Sequence, residues 1–400
     1  MMPTEWVNWS GSLRFTPAQI TPPADEAELI ALVRRAAEAG RTIRPVGSGH
    51  SATGLLATDD LLVTFEHFQG IVATDQDRCQ ATVRAGTTLE VLGRDLARVG
   101  LDFPNLGDVA TQTIAGVIAT GTHGSGRDLH NLACLLVGGR LVTGRGEVIE
   151  FGEDDTEVLR AARVSLGALG IMSQVRLQLM PAYTIQRREY CTTMDASWAH
   201  LDELIAENRS CDFYWYPRSD EVKLRLLNPP GGGTADLPYA RLVTDARGPA
   251  HEIIPQHSHL PYRFDEMEYA IPREAGLACF RDVRKRVMAT HRRTVGWRIL
   301  YRTVAADDAY LSPAYGRPTV TISLHQNASL PFWDYFRDIE PIFRAFGGRP
   351  HWAKKHTLEA EDLRPLYPRW DRFLAVRQRL DPQGVFLSPS LCDLLGVEGS

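Results

Sequence analysis

The chain has 400 residues, 44% hydrophobic and 23% charged, with a formal net charge of -5. That average composition excludes a disordered or fibrous class, and the length calls for about two domains of roughly 100 to 200 residues. The acidic balance argues against a general nucleic-acid binder, which carries a basic face to neutralise phosphates.

No apolar run reaches the roughly 20 residues that cross a bilayer, and "MMPTEWVNWSGSLRF" has neither the basic leader nor the apolar core of a signal peptide, so a cytoplasmic protein is expected. In "TPPADEAELIALVRRAAEAG" the pattern predicts a helix capped by Thr21, with Pro22 in its first turn, Leu29, Ile30, Leu32, Val33, Ala36 and Ala37 on one stripe, and Gly40 at its end. "RTIRPV" predicts a strand that runs into "RPVGSGHSATG", residues 44–54. Glycines at 47, 49 and 54 allow close approach to the backbone, but the spacing is not GxGxxG. The following "LLATDDLLVTF" is more strand-like than helical, which weakens a Rossmann reading; a phosphate nest of backbone amides stays open.

"GIVATD" and "QATVRAG" predict short strands, "TTLEVLGRDLARVG" a helix, "LLVGGRLVTGRGEVIEF" a hairpin, and "DDTEVLRAARVSLGALG" a helix leading into the strand "IMSQVRLQLMP". Strands and helices mix without regular alternation, so the fold class expected is α+β. Pro181 marks a boundary between domains 1–181 and 182–400, and beyond it "FYWYP" raises the aromatic content and "NPPGGGTADLPYA" reads as a loop. The basic residues Arg281, Arg284, Lys285, Arg286, Arg292 and Arg293 read as the solvated face of a helix.

The six cysteines form no CxxC pair, which fits buried thiols in a reducing compartment. In "PNLGDVATQTIAGVIATGTHGSG", residues 104–126, small residues without charge suit either close packing against a flat or diphosphate ligand or a buried strand and turn. "GGRPHWAKKH" gathers His351, Lys354 and His356 around Trp352; on its own it reads as a solvated lysine covering a tryptophan. His257 and His259 in "QHSHLPY" lack carboxylate or cysteine partners at recognised spacing, and no metal is expected. Serine-hydrolase elbow, zincin and Walker motifs are absent from the sequence.

In chain order, "NWSG", "GSGHS", "NLGDVATQTIAGVIATGTHGSG", "GALGIMSQVRLQL", "EYAIPRE", "GGRPHWAKKH" and "LDPQGVFL" resemble the aldonolactone oxidase group of the vanillyl-alcohol-oxidase flavoproteins, over nearly the whole chain. The resemblance implies an FAD-binding domain followed by an α+β substrate (cap) domain whose final segment returns to the flavin. It implies that Pro45, Gly47, Ser48, Gly49, His50 and Ser51 hold FAD, with His50 bonded covalently to the flavin's ring methyl. It places Thr111, Thr113, Gly116, Thr120, Gly121, Thr122, His123 and Gly124 on a second FAD-contact strand and turn, with Ile171 and Val175 behind. Gly107 matches the glycine of oxidases, where related dehydrogenases carry alanine, which implies oxygen as acceptor and hydrogen peroxide as product.

By the same resemblance the substrate is sugar-derived, an aldonolactone first. Lys354 stabilises developing negative charge, His325 accepts the hydroxyl proton, Arg298 belongs to a substrate-binding Glu-x-Arg pair, and His351 stands beside them. The glutamate of that pair is replaced by Gly296, with Trp297 between, so an alditol or a nucleoside is an alternative substrate, and a flavin-binding protein without catalysis is an alternative class.

Overall fold

The computed structural model describes residues 4–234, 236–255 and 262–399. The first helix forms over Glu26–Glu38, but its cap is Asp25, whose carboxylate accepts the Glu28 amide, and not Thr21. Thr21 instead ends a strand, Gln19–Thr21, parallel to Leu61–Val63, which also pairs with Ile43–Pro45. This small parallel sheet holds the stem of the glycine-bearing loop.

Beside it lies an antiparallel five-stranded sheet in the order Val148–Gly152, Leu136–Val142, Ile171–Gln178, Gln80–Arg84 and Ile71–Asp75. The hairpin predicted over residues 136–152 is its edge. The helix predicted from Asp154 onward stops at Ala162, because the chain takes positive φ at Val164 (62°) and Leu166 (56°). A branched side chain such as valine enters that region only under local constraint. Arg44 supplies it: the guanidinium is 2% exposed and donates to the carbonyls of Leu166, Gly167 and Phe386 at 2.9, 3.2 and 3.0 Å.

From Thr184 onward the chain builds an antiparallel eight-stranded sheet, so the whole is α+β. Its order is Arg241–Pro249, Thr184–Thr193, Glu221–Asn228, Ser210–Tyr216, Ile299–Val304, Thr319–Asn327, Phe264–Pro272 and Arg349–Pro350. Because side chains alternate along a strand, Phe213 and Tyr301 go to one face, where they pack on Phe280 of the helix Gly276–Arg286. Arg302, Ser323 and Glu268 go to the other. Two cations of the basic cluster are engaged at the surface, Arg284 with Asp220 and Arg286 with Asp338.

The last segment crosses back to the first sheets. After the helix Trp370–Leu380, the fully buried Asp381 accepts the amides of Val385 and Phe386, and Val385 in turn accepts the Ile43 amide at 2.7 Å. Val385 and Phe386 complete a core cluster with Leu29, Val33 and Ile43. All six cysteines are free thiols, and no helix among the described residues is long and apolar enough to cross a membrane.

Replacing Arg44 with methionine removes one donor from three carbonyls at once. Denaturant unfolding should show a loss of roughly 3 kcal/mol, the scale for leaving buried polar groups unpaired; a loss below about 1 kcal/mol would mean that water replaces the guanidinium.

Candidate active site

The glycine-bearing loop is fixed from outside by the N-terminal segment. The Trp9 amide donates to Gly49 O at 2.8 Å, Asn8 Nδ2 to Ser51 O at 3.0 Å, and the Trp9 ring stacks on His50 with centroids 5.1 Å apart. Gly49 has φ +69°, and a Cβ on Gly47 would stand 2.0 Å from Thr113 Oγ1. Thr113 precedes a helix, Ile114–Thr120, closed by Gly121 in the left-handed conformation. The strand and turn expected there is thus a helix: Ile114, Val117 and Ile118 recur at helical spacing and all three are buried.

Two cavities of about 880 Å³ each meet at His50 and Gln112, which line both. Pro45, Gly47, Ser48, Gly49 and Ser51 wall the first, opposite Thr113, Gly116, Thr120 and Ile171. Gly107, Thr122, His123, Arg298, His325, His351 and Lys354 wall the second. A two-part space, with backbone-rich walls at one end and charged side chains at the other, fits a dinucleotide cofactor.

Four expected residues sit elsewhere. Thr111 lies behind the loop, its Oγ1 3.1 Å from His50 Nε2 and its carbonyl accepting Ser48 Oγ. Gly121 lines a separate cavity behind the site, and Gly124 packs against Leu106 O and Asn105, where a Cβ would approach to 2.3 Å. Val175 is fully buried in the sheet core; four residues beyond Ile171 a strand has advanced roughly 13 Å, so Met172 borders the cavity instead.

The charged end is built by register. Glu266 pairs with His325, Glu268 with Ser323 and Arg302 with Thr321 across three adjacent strands. The next segment lies along that edge, with the His351 amide bonded to Glu268 O and the Lys355 amide to Glu266 O. This sets Lys354 Nζ between two carboxylates, 2.6 Å from Glu266 Oε1 and 3.0 Å from Glu268 Oε2. Glu268 also meets Arg302 Nη2 at 2.8 Å, His123 Nε2 at 2.8 Å and the Ser323 hydroxyl. His325 Nε2 stands 3.3 Å from Glu266 Oε1.

Burial alone would raise both carboxyls, but Lys354 first, then His325 at Glu266 and His123 and Arg302 at Glu268, more than offset it, and both lie below the ordinary range. Burial pushes His50 down to about 4, and burial with Lys354 beside it takes His351 down to about 3. These imidazoles are neutral at neutral pH. His123, Glu268 and His351 bring ligand atoms within 4.8 Å of one another. Their lone pairs are already used: Glu268 accepts from four side chains, His351 Nδ1 accepts the Ala353 amide, and Arg302 and Lys354 oppose a further cation. His257 and His259 lie outside the described residues.

Gly296 does not face the cavity. Its amide donates to Gln326 Oε1, and a Cβ there would meet Leu330. Trp297 is not on the cavity wall; its ring packs edge-on against Tyr262 and tilted against Phe264. The cavity face carries Arg298, Leu300 and Arg302, two residues apart, and the carboxylates come from the strand Phe264–Pro272. Sequence reasoning missed Glu266, Glu268 and Arg302. The signal was the two glutamates spaced by two in "EMEYAIP" and a second arginine in "RILYR". It also missed Asp108, which accepts the Tyr214 hydroxyl at 2.5 Å and Arg225 Nη1 at 2.7 Å, beneath Arg298, whose guanidinium lies 3.9 Å from the Tyr214 ring centroid.

Comparison with known proteins matches residues 17–152 to an FAD binding domain and residues 239–393 to the D-arabinono-1,4-lactone oxidase family. The chain is 38% identical to the L-gulono-1,4-lactone dehydrogenase of Mycobacterium tuberculosis, over 98% of this chain and 99% of that one. It is 28% identical to the L-gulonolactone oxidase of Bos taurus, over 96% of each. A crystal structure of cholesterol oxidase from B. sterolicum shares the fold, with a TM-score of 0.82 at 17% identity, covering 98% of this chain and 97% of that one.

Gly47→Ala forces the loop and Thr113 apart, and flavin content in the purified protein, read from its visible absorbance, should fall about tenfold or more; unchanged loading would show that the two walls yield. A second outcome concerns acid. From the ordinary 6.5, the folded state holds His50 near 4 and His351 near 3, so the unfolded chain takes up these protons first. Stability should therefore fall as pH drops from about 6.5 toward 3, with no contribution above that window, and melting curves of His351→Asn should fall less steeply there.

Proposed function

The chain belongs to the aldonolactone oxidase group of the vanillyl-alcohol-oxidase flavoproteins, and from that membership we propose that it oxidises a hydroxyl-bearing carbon of a sugar-derived aldonolactone, with oxygen as acceptor and hydrogen peroxide as product. It is an FAD-dependent oxidoreductase acting on CH–OH donors. The observation that carries the reading is Lys354 held between Glu266 and Glu268 on a cavity wall that also includes His50.

Bound FAD supplies the acceptor for the hydride that leaves the substrate carbon. The chain supplies position and charge. Lys354, Arg298 and Arg302 turn three cations toward the cavity, where an alkoxide developing from the substrate hydroxyl is favoured. His325, backed by Glu266, takes the hydroxyl proton, because a neighbouring carboxylate stabilises the imidazolium that forms. His351, neutral and buried beside them, shields the site from water. Glu266 stands in for the carboxylate that Gly296 lacks and is the acceptor for other hydroxyls of the substrate.

His50 is the attachment point for the flavin. Trp9 stacked on one side and Thr111 bonded to its Nε2 fix the ring, and its neutrality keeps a nucleophilic lone pair at neutral pH. Residues 1–181 hold the cofactor and 182–400 cover the substrate, with 347–356 returning to the site. Gly107 favours oxygen access: a Cβ there would crowd His123 O at 3.3 Å. The free thiols support a cytoplasmic location. His325 on the cavity wall, with Gly296 in place of the family's glutamate, favours an alditol or nucleoside as the second reading.

Three measurements test this. Acid-precipitated protein should stay yellow and His50→Ala should release its colour; colour washing out of the wild type would refute attachment. Anaerobic bleaching of the flavin band should be fastest with an aldonolactone in a panel that includes alditols, aldoses and nucleosides, and air should restore it; a faster non-lactone would favour the second reading. Lys354→Ala should slow bleaching about 100-fold, the scale for removing one charge-stabilising donor, while flavin content holds.

A further inference from the structure

Behind the charged cluster lies a small cavity, separate from the two that meet at His50. His123, His351, Ser312, Thr319 and Thr321 are among its walls, and every residue lining it is buried. His123 and His351 also line the active-site cavity, so their rings and Glu268 form the partition between the two spaces.

Three features of this chamber are unlike a packing defect. The hydroxyls of Thr319 and Thr321, 0% and 3% exposed, meet no partner in the protein. An unpaired buried hydroxyl costs about 1–3 kcal/mol, and such groups are satisfied by internal water, whose share of liquid volume is about 30 Å³. The cavity has room for at least one. Secondly, the His123 ring stands between two acceptors, Gly124 O at 2.9 Å from Nδ1 and Glu268 Oε1 at 2.8 Å from Nε2. One proton satisfies one of them and a second satisfies both; burial first, then Arg302, opposes the second charge and holds the imidazole below its ordinary value. The ring thus stands between two acceptors with a single proton to share.

Thirdly, the chamber has a polar way out. The Ser312 hydroxyl donates to Asp307 Oδ2 at 2.6 Å, and Asn131 donates to the same oxygen at 2.6 Å. Burial raises the Asp307 carboxyl to about 6, against the Ser312 bond that lowers it. Beyond it stand Asp308, with its side chain half exposed, and the exposed His130.

We propose that this chamber is the proton port of the active site: water held by Thr319 and Thr321 connects the His123–Glu268 pair to Ser312, Asp307 and solvent. The inference rests on the reading of the enzyme as an alcohol oxidase. Oxidation of the CH–OH carbon breaks its C–H bond, whose hydride carries away both electrons, and its O–H bond, whose proton passes to the protein. Reduction of oxygen to hydrogen peroxide consumes the two electrons, the hydride's hydrogen and one proton. Each turnover therefore releases one proton into a buried site and later requires one there. From His325, which takes the proton, Glu266 at 3.3 Å, Lys354 at 2.6 Å from that carboxylate and Glu268 at 3.0 Å from Lys354 lead to His123, and the chamber continues from its far side.

The test joins a crystal structure to kinetics. A high-resolution structure of the flavin-loaded enzyme should show ordered water within about 3 Å of Thr319 and Thr321 Oγ. In the near-isosteric Thr319→Val/Thr321→Val enzyme, anaerobic bleaching should slow severalfold and its solvent deuterium isotope effect should rise, with substrate KM and flavin content unchanged. A dry chamber in the wild type overturns the proposal, as does a folded, loaded variant with unchanged bleaching rate and isotope effect. If the double variant does not fold, Asp307→Asn, at the outer end, carries the same expectation. If no hydroxyl compound bleaches the flavin, the substrate reading fails, and the crystallographic water still decides the chamber.

Discussion

The placement of one ammonium group between two buried carboxylates organises the catalytic half of this molecule. A carboxylate or ammonium withdrawn from water alone costs several kcal/mol, so Glu266, Glu268, Lys354 and Arg302 persist in the interior only as a set. Each needs an opposite charge at hydrogen-bond distance, and the register of three strands and the path of residues 351–355 beside them provide it. The arrangement leaves Lys354, Arg298 and Arg302 on the cavity wall, so the contacts that stabilise the interior also set the charge that the cavity presents.

The cofactor half depends on a different device. There the charge is Arg44, and its partners are carbonyl oxygens rather than carboxylates. Dipoles satisfy the guanidinium without a counter-ion, and in doing so they hold Leu166 and Gly167 in left-handed backbone against the loop stem. The walls beyond are shaped by missing side chains, since at Gly47 and Gly124 a single methyl would collide with its neighbour. One half of the site is specified by where charges must pair, the other by where atoms must be absent.

Much of this could be read before any coordinates. Regular periodicity located the first two long helices, the hairpin and the α+β class, and the motif order located the loop around His50 and the segment around Lys354. What escaped was tertiary. Thr21 looked like a cap because the sequence does not reveal that it is drawn into a sheet by Leu61–Val63. The 114–120 segment looked like a strand because small residues blur the difference between a period of two and one of 3.6. Glu266, Glu268 and Arg302 escaped because their chemistry depends on strand neighbours far apart in the chain. The setting of Gly296 was hidden for the same reason, since its amide bonds to Gln326 and Glu266 stands on another strand of the sheet.

The stem of the cofactor loop has a late partner. Ile43 bonds to Val385, and Arg44 reaches Phe386, 342 residues further along the chain. During synthesis the N-terminal strands therefore emerge long before the segment that closes their edge and satisfies the guanidinium. Until then Arg44 has only two of its three carbonyls, and the glycine-bearing loop hangs from an unfinished core. The stem of the loop is therefore completed only when residues 385 and 386 are free of the ribosome, so the last part of the chain to be made finishes one of the first.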